Sequence, residues 1–274
     1  MMEWTGYLRL AVAPKQGKTI ATDLYYENAF KLTRPLYPDE SGQPHYYILN
    51  PGGGYVDGDR YKLDIELAED ARLLLTTQSS TKVYKTRKTA PVQDMEIRMK
   101  KGSFLEYVPD PLIAYRHAQY KQKTTIRMER GSTLIFSDIV TPGWSPDGEL
   151  FSYDRLRLKT EIYVDGDLAV YDQVRLAPSE QDLTGIGLLE GYTHFGSLIV
   201  VGEQMTSDFL DQLYEAMDAG TAPCRVGLSM LPVSGFSVRV LASSTQDIER
   251  LFAVCQRLVR EQWLGLKPVF LRKY

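Results

Sequence analysis

Tyr61-Lys62-Leu63-Asp64-Ile65-Glu66-Leu67 exchanges an apolar and a charged residue at every position. A period of two marks a strand with one face in a core and the other in water. The pattern recurs along the chain. Gly6 to Val12 alternates in the same way, and so do Met95 to Met99, Thr125 to Glu129 and Leu156 to Val164. Turn chemistry separates these runs: Lys101-Gly102-Ser103, Arg130-Gly131-Ser132 and Val164-Asp165-Gly166-Asp167. The last reads as a hairpin, because Asp and Gly accept positive φ at the bend. Strand signals spaced in this way suit a sandwich, a barrel or a β-helical stack.

The chain changes character after about residue 205. Phe209, Leu210, Leu213, Ala216 and Met217 share one helical face, which predicts a helix over 206–219, with Thr206 or Ser207 as cap and Gly220 as stop. A second helix is predicted from Ser244 to Trp263, with Ile248, Leu251, Phe252, Cys255, Leu258 and Val259 as its stripe. Ser244-Thr245-Gln246-Asp247 opens it like a capping box with Asp in place of Glu, and Gly265 and Pro268 follow it. Residues 225–230 and 236–241 read as strands between the helices. The expectation is a mainly β single domain over 1–274, a sandwich, a barrel or a β-helical stack of strands, with two α-helices in its C-terminal part. Residues 1–205 are mostly strands, and 206–274 run helix, strand, strand, helix.

Composition narrows the functions available. The 274 residues are 43% hydrophobic and 24% charged, with net charge −3, enough apolar material for a large core. No dense basic block exists, so a nucleic-acid footprint is absent. The cluster Lys82, Lys85, Arg87 and Lys88 reads as a charged strand edge. No run approaches the ~18 apolar residues of a membrane span. Met1-Met2-Glu3-Trp4-Thr5-Gly6 lacks a leader's apolar stretch, and a cytoplasmic protein is expected.

Catalytic constellations are missing as well. His45, His117 and His194 are far apart and form no metal-ligand pair with cysteine or one another, so no tight metal site is predicted. Pro51-Gly52-Gly53-Gly54 lacks the lysine of a phosphate loop and reads as a tight turn. Gly-x-Ser-x-Gly does not occur. The alternative with most chemistry is a carbohydrate-binding or carbohydrate-active protein. It would use Trp144 and the carboxylates Asp138, Asp147, Glu149 and Asp154.

Four stretches stand in order along the chain: Asn-Pro-Gly-Gly-Gly-Tyr-Val-Asp-Gly-Asp at 50–59, Leu-Thr-Thr-Gln-Ser-Ser-Thr-Lys-Val-Tyr at 75–84, Glu106 to Ala118 and Asp138 to Phe151. Together they resemble the motifs of the UreD (UreH) urease accessory protein family. The resemblance implies a β-helix-like fold with two helices and a non-enzymatic role in nickel insertion. It implies three partners: apo-urease, UreF, and UreG through UreF. It also implies transient Ni²⁺ with no tightly bound cofactor, moving through a polar interior passage. Matched residue by residue, Asp59, Gln78, Glu106, Asp138 and Glu149 are the expected passage lining. Gly53, Gly54, Thr77, Lys82 and His117 are expected structural anchors. A buried ion pair for Glu106, with Lys82 as partner, is an alternative to the passage role.

Overall fold

The computed structural model describes residues 4–218, 224–269 and 271. β1 (Gly6–Lys15) and β2 (Lys18–Asn28) form a hairpin, and β3 (Lys31–Leu32) leads to β4 (His45–Leu49). The next three passes of the chain repeat one plan. β5 (Arg60–Leu67) is followed by β6 (Arg72–Thr77) and β7 (Thr81–Val83). β8 (Val92–Met99) is followed by β9 (Phe104–Tyr107) and β10 (Leu112–Ala114), and β11 (Gln119–Met128) by β12 (Thr133–Val140). β13 (Arg155–Val164) turns back as β14 (Asp167–Leu176) through the predicted Asp165-Gly166 bend, where φ is 51° and 96°. β15 (His194–Val201), α1 (Ser207–Asp218), β16 (Arg225–Met230), β17 (Gly235–Ala242) and α2 (Thr245–Leu258) follow.

The first sheet runs β14-β13-β11-β8-β5-β1-β2, and β1, β5, β8, β11 and β13 are mutually parallel. The second runs β16-β17-β15-β12-β9-β6-β4-β3 and is parallel from β4 through β12. Each coil therefore lays one strand in each sheet, directly beside the same strand of the previous coil. Of the three architectures open to the alternating runs, this is the stacked, solenoid-like one that the family resemblance implies. Period-two patterning explains the stack. Leu10, Ile65, Ile97, Ile126 and Ile162 pair in register and are all 0–1% exposed. Their flanking charges point outward and pair across strands, Lys62 with Glu96 at 2.9 Å and Arg98 with Glu66 at 3.0 Å.

The middle strands of the second sheet, β6, β9, β12 and β15, are buried on both faces, which is why they read as nearly continuous apolar runs. Leu73, Leu75, Leu105, Leu134 and Phe136 face the first sheet. Phe104, Ile135, Leu198 and Val200 face the other way, against Phe209, Leu213, Leu251 and Phe252 of the two helices. The Thr206 hydroxyl accepts from the Phe209 N–H at 3.1 Å and caps α1. Of the predicted end of that helix, Ala219 and Gly220 lie outside the described residues. Ser244 caps α2 by accepting from the Asp247 N–H at 3.2 Å. Cys255 is buried in this layer, and burial pushes its thiol up to about 12. No helix among the described residues is long and apolar enough to cross a membrane.

The sequence predicts one helix to Trp263, but the last turn, Val259–Trp263, is a π turn. The wider turn rotates the following side chains relative to the α-helical stripe. Val259, Arg260 and Trp263 all become buried.

Candidate functional site

A cavity of about 60 Å³ lies between the sheets at one side of the stack. Its walls come from the turn Gly53–Tyr55, the segment Thr77–Lys82, Pro109–Asp110 and inward positions of both sheets. Those inward positions are where a polar residue interrupts an apolar alternation. Gln93 and Gln122 occupy the same place on β8 and β11 and pair in register. The Tyr55 hydroxyl donates to Gln93 Oε1 at 2.5 Å, and the Tyr120 hydroxyl donates to Gln122 Oε1 at 3.2 Å. Gln122 Nε2 then donates to both oxygens of Asp138, at 3.2 and 3.4 Å. Burial pushes the hydroxyls of Tyr55, Tyr107 and Tyr120 upward, so all three stay neutral donors. Burial likewise lifts the Asp138 carboxyl to about 7. The Gln122 hydrogen bond and the Arg239 charge oppose this shift, and the Asp172 charge adds to it. The row thus offers carboxylate, amide and phenol oxygens in sequence. Among the described residues, no group of three or more His, Cys, Asp or Glu is disposed to hold a metal ion.

Asp138, Thr77, Lys82, Gly53 and Gly54 line this one cavity. Thr77 Oγ1 donates to Asp110 Oδ2 at 2.9 Å and accepts from the Asp110 N–H at 2.8 Å, which ties β6 to the loop beyond β9. Asp59 Oδ2 accepts from the Val56 N–H and the Tyr61 hydroxyl, at 2.8 and 2.9 Å. Tyr61 stacks on Tyr55 with 3.8 Å between ring centres, so Asp59 braces the cavity wall from behind. Gln78 is exposed beside Thr77. Glu149 is exposed on the coil corner and, with Asp147, is held by Arg116 at 2.7 and 2.5 Å. His117, at φ 60°, sits on the same corner with its Nδ1 3.2 Å from Asp154.

Glu106 lies on the other side of the second sheet. Alternation along β9 sends Tyr107 into the cavity and Glu106 toward the helices. There its Oε2 accepts from Arg260 Nη1 and, at 3.0 Å, from Gln43 Nε2. Arg260 Nη1 also donates to Gln43 Oε1 at 2.9 Å, and its Nε to the Lys267 carbonyl at 2.7 Å. Asp39 is 3.9 Å from Nη2. Burial raises the Glu106 carboxyl, against the pull of Arg260 and Gln43. It also lowers the neighbouring His45 to about 4, with help from Arg260. The sequence reading missed Arg260, Gln43, Gln93 and Gln122.

The glycine turn has a steric reason. Gly54 has φ 154°, and a Cβ there would lie 2.7 Å from the Lys82 carbonyl oxygen and 2.7 Å from the Tyr84 ring. Gly53, at φ 80°, faces open space. Gly54→Ala is expected to cost about 2–4 kcal/mol through clash and strain, and Gly53→Ala only about 1 kcal/mol. Urea denaturation of the two variants checks the order; equal losses would disprove the close-approach account.

The sequence pattern that defines the UreD urease accessory protein family matches residues 5–273. The chain belongs to that family. It is 51% identical to the urease accessory protein UreD of Lachnoclostridium phytofermentans, over the whole of both chains. It is 44% identical to that of Bacillus sp. strain TB-90, again over the whole of both, and 39% to that of Staphylococcus aureus over 99% of each. Membership supports a role in urease maturation.

Proposed function

We propose that this UreD-family chain is a non-catalytic cytoplasmic scaffold that joins apo-urease to UreF, and through UreF to UreG. Ni²⁺ is its cargo, crossing the polar row between the sheets on its way to the urease active site. The observation that carries this reading is Asp138: a carboxylate in a polar row inside an apolar stack, held by one amide. A half-buried carboxylate facing an apolar stack, without a cationic partner at hydrogen-bond distance, is a standing cost to stability. Ni²⁺ takes N and O ligands, and a transit site must bind without trapping. Scattered amide, phenol and carboxylate oxygens meet that requirement. Asp59 fits a supporting role through Tyr61, and Glu106 a structural one.

Trp144 packs on Tyr115, with ring centres 4.8 Å apart, and is 49% exposed, but the carboxylates of a carbohydrate-active site would have to leave Arg116, which engages both Asp147 and Glu149. The test is co-expression with the urease subunits and the remaining accessory proteins. Asp138→Ala is expected to cut urease nickel content and activity by about tenfold or more, the loss of one cation contact in a low-dielectric site. The variant should still co-purify with urease. Unchanged nickel loading would refute the passage.

A further inference from the structure

The polar row continues past Asp138. Asp138 of β12 pairs in register with Ser197 of β15, and Ser197 with Arg239 of β17. The three side chains therefore sit side by side on the sheet face that looks into the stack. Arg239 bridges the gap to the first sheet. Its Nη1 donates to the Ser197 hydroxyl, and its Nη2 donates to Asp172 Oδ1 of β14 at 2.6 Å. Asp172 pairs in register with Thr160, and Thr160 with Thr124, whose hydroxyl is fully buried without a hydrogen-bond partner. The Asp172 side chain is 18% exposed and that of Arg239 35%, so the row meets solvent at this pair.

We propose that the Asp172–Arg239 pair is a gate at the far end of the row, with Arg239 holding the seat that a passing divalent cation must take. This rests on the reading that the row carries Ni²⁺. Arg239 is bonded to Asp172 and to Ser197, the register neighbour of Asp138, and the charges of Asp172 and Arg239 both act on Asp138, so the guanidinium is the resident cation at this end of the row. A monovalent cation replaces one positive charge with one and loses the directed hydrogen bonds of the guanidinium. A divalent ion brings twice the charge to the Asp172 carboxylate at this partly screened end of the row, which favours its taking the seat. The displaced guanidinium has somewhere to go: it is already partly in water and lies 5.6 Å from the Phe195 ring centre. The exchange admits divalent cations and keeps the row closed to monovalent ones.

The test measures urease activation against added nickel sulfate in cells co-expressing the whole urease system. Arg239→Gln removes the competing charge and keeps a donor for Ser197. It is expected to lower the half-activating nickel concentration by about threefold or more. A merely structural loss would instead reduce activation at every concentration. Arg239→Lys, which keeps the charge, should stay close to the parent as a control, and Asp172→Asn serves if the glutamine variant does not accumulate. Asp172→Asn, with its seat removed, should need more nickel. If Arg239→Gln and Asp172→Asn match the parent curve while Asp138→Ala loses activation, the gate is wrong and the passage stands. If Asp138→Ala also matches the parent, the passage is wrong and the gate goes with it.

Discussion

Arg260→Met is expected to destabilise the isolated chain by about 3–5 kcal/mol, the usual cost of removing one partner from a buried ion pair. Glu106 and Arg260 are both 0–1% exposed. Removing the guanidinium leaves the Glu106 carboxylate facing apolar neighbours, with only the Gln43 amide for company. It also unties the Lys267 carbonyl, and with it the segment that follows the π turn. The loss is specific to breaking the pair. Replacing both partners, as in Glu106→Leu with Arg260→Met, should recover most of it, because no lone charge remains. Urea denaturation of the single and double variants measures the coupling directly. A single-variant loss below about 1 kcal/mol, the range of exposed pairs, would show that this pair contributes no more than a surface one.

The fold was legible where one face is wet. Asp64-Ile65-Glu66, Glu96-Ile97-Arg98 and Glu161-Ile162-Tyr163 each show the alternation, and each places its isoleucine in the same stack. The coil repeat itself stays hidden, because those isoleucines are separated by unequal loops and the stack asks only for apolar volume. The second sheet is harder to read: with both faces buried, Leu73-Leu74-Leu75 carries no period. Asp138, whose motif implies a polar passage, does line the cavity, and Gln93 and Gln122 carry a signal independent of any motif, since each stands at an inward position of an alternating strand. Arg260 had no such signal. An α-helical projection leaves it off the apolar stripe, and only the π turn brings it inward. Its one trace is Glu106, in Phe104-Leu105-Glu106-Tyr107, a carboxylate among apolar neighbours that needs a cation from somewhere. Lys82 is nearer in sequence, but alternation along the coils places it at the cavity, on the opposite side of the sheet.

Asp138→Asn should stabilise the metal-free chain at pH 8 and have little effect near pH 4. The folded-state carboxyl titrates at about 7, against an ordinary value of 3.8, chiefly because it is buried. Its folded pKa is raised, so the folded state holds the proton more tightly than the unfolded chain does. That preference supports the fold fully below pH 4, erodes as pH rises from about 4 to 7, and is gone above 7. At pH 8 the native chain must keep a carboxylate in the row, at a cost of about 2–4 kcal/mol once partial solvent access is allowed for. Asparagine keeps an oxygen for the Gln122 amide and carries no charge, so the cost disappears. The Tm difference between variant and parent, measured with a chelator present, should grow with pH and pass half its final value between pH 5 and 7. Comparing the two chains at each pH cancels the titration of every other group. A difference that is flat with pH would mean that Asp138 is ionised and solvated throughout, and the carboxylate would lose the standing cost that marks it as a site for a passing cation.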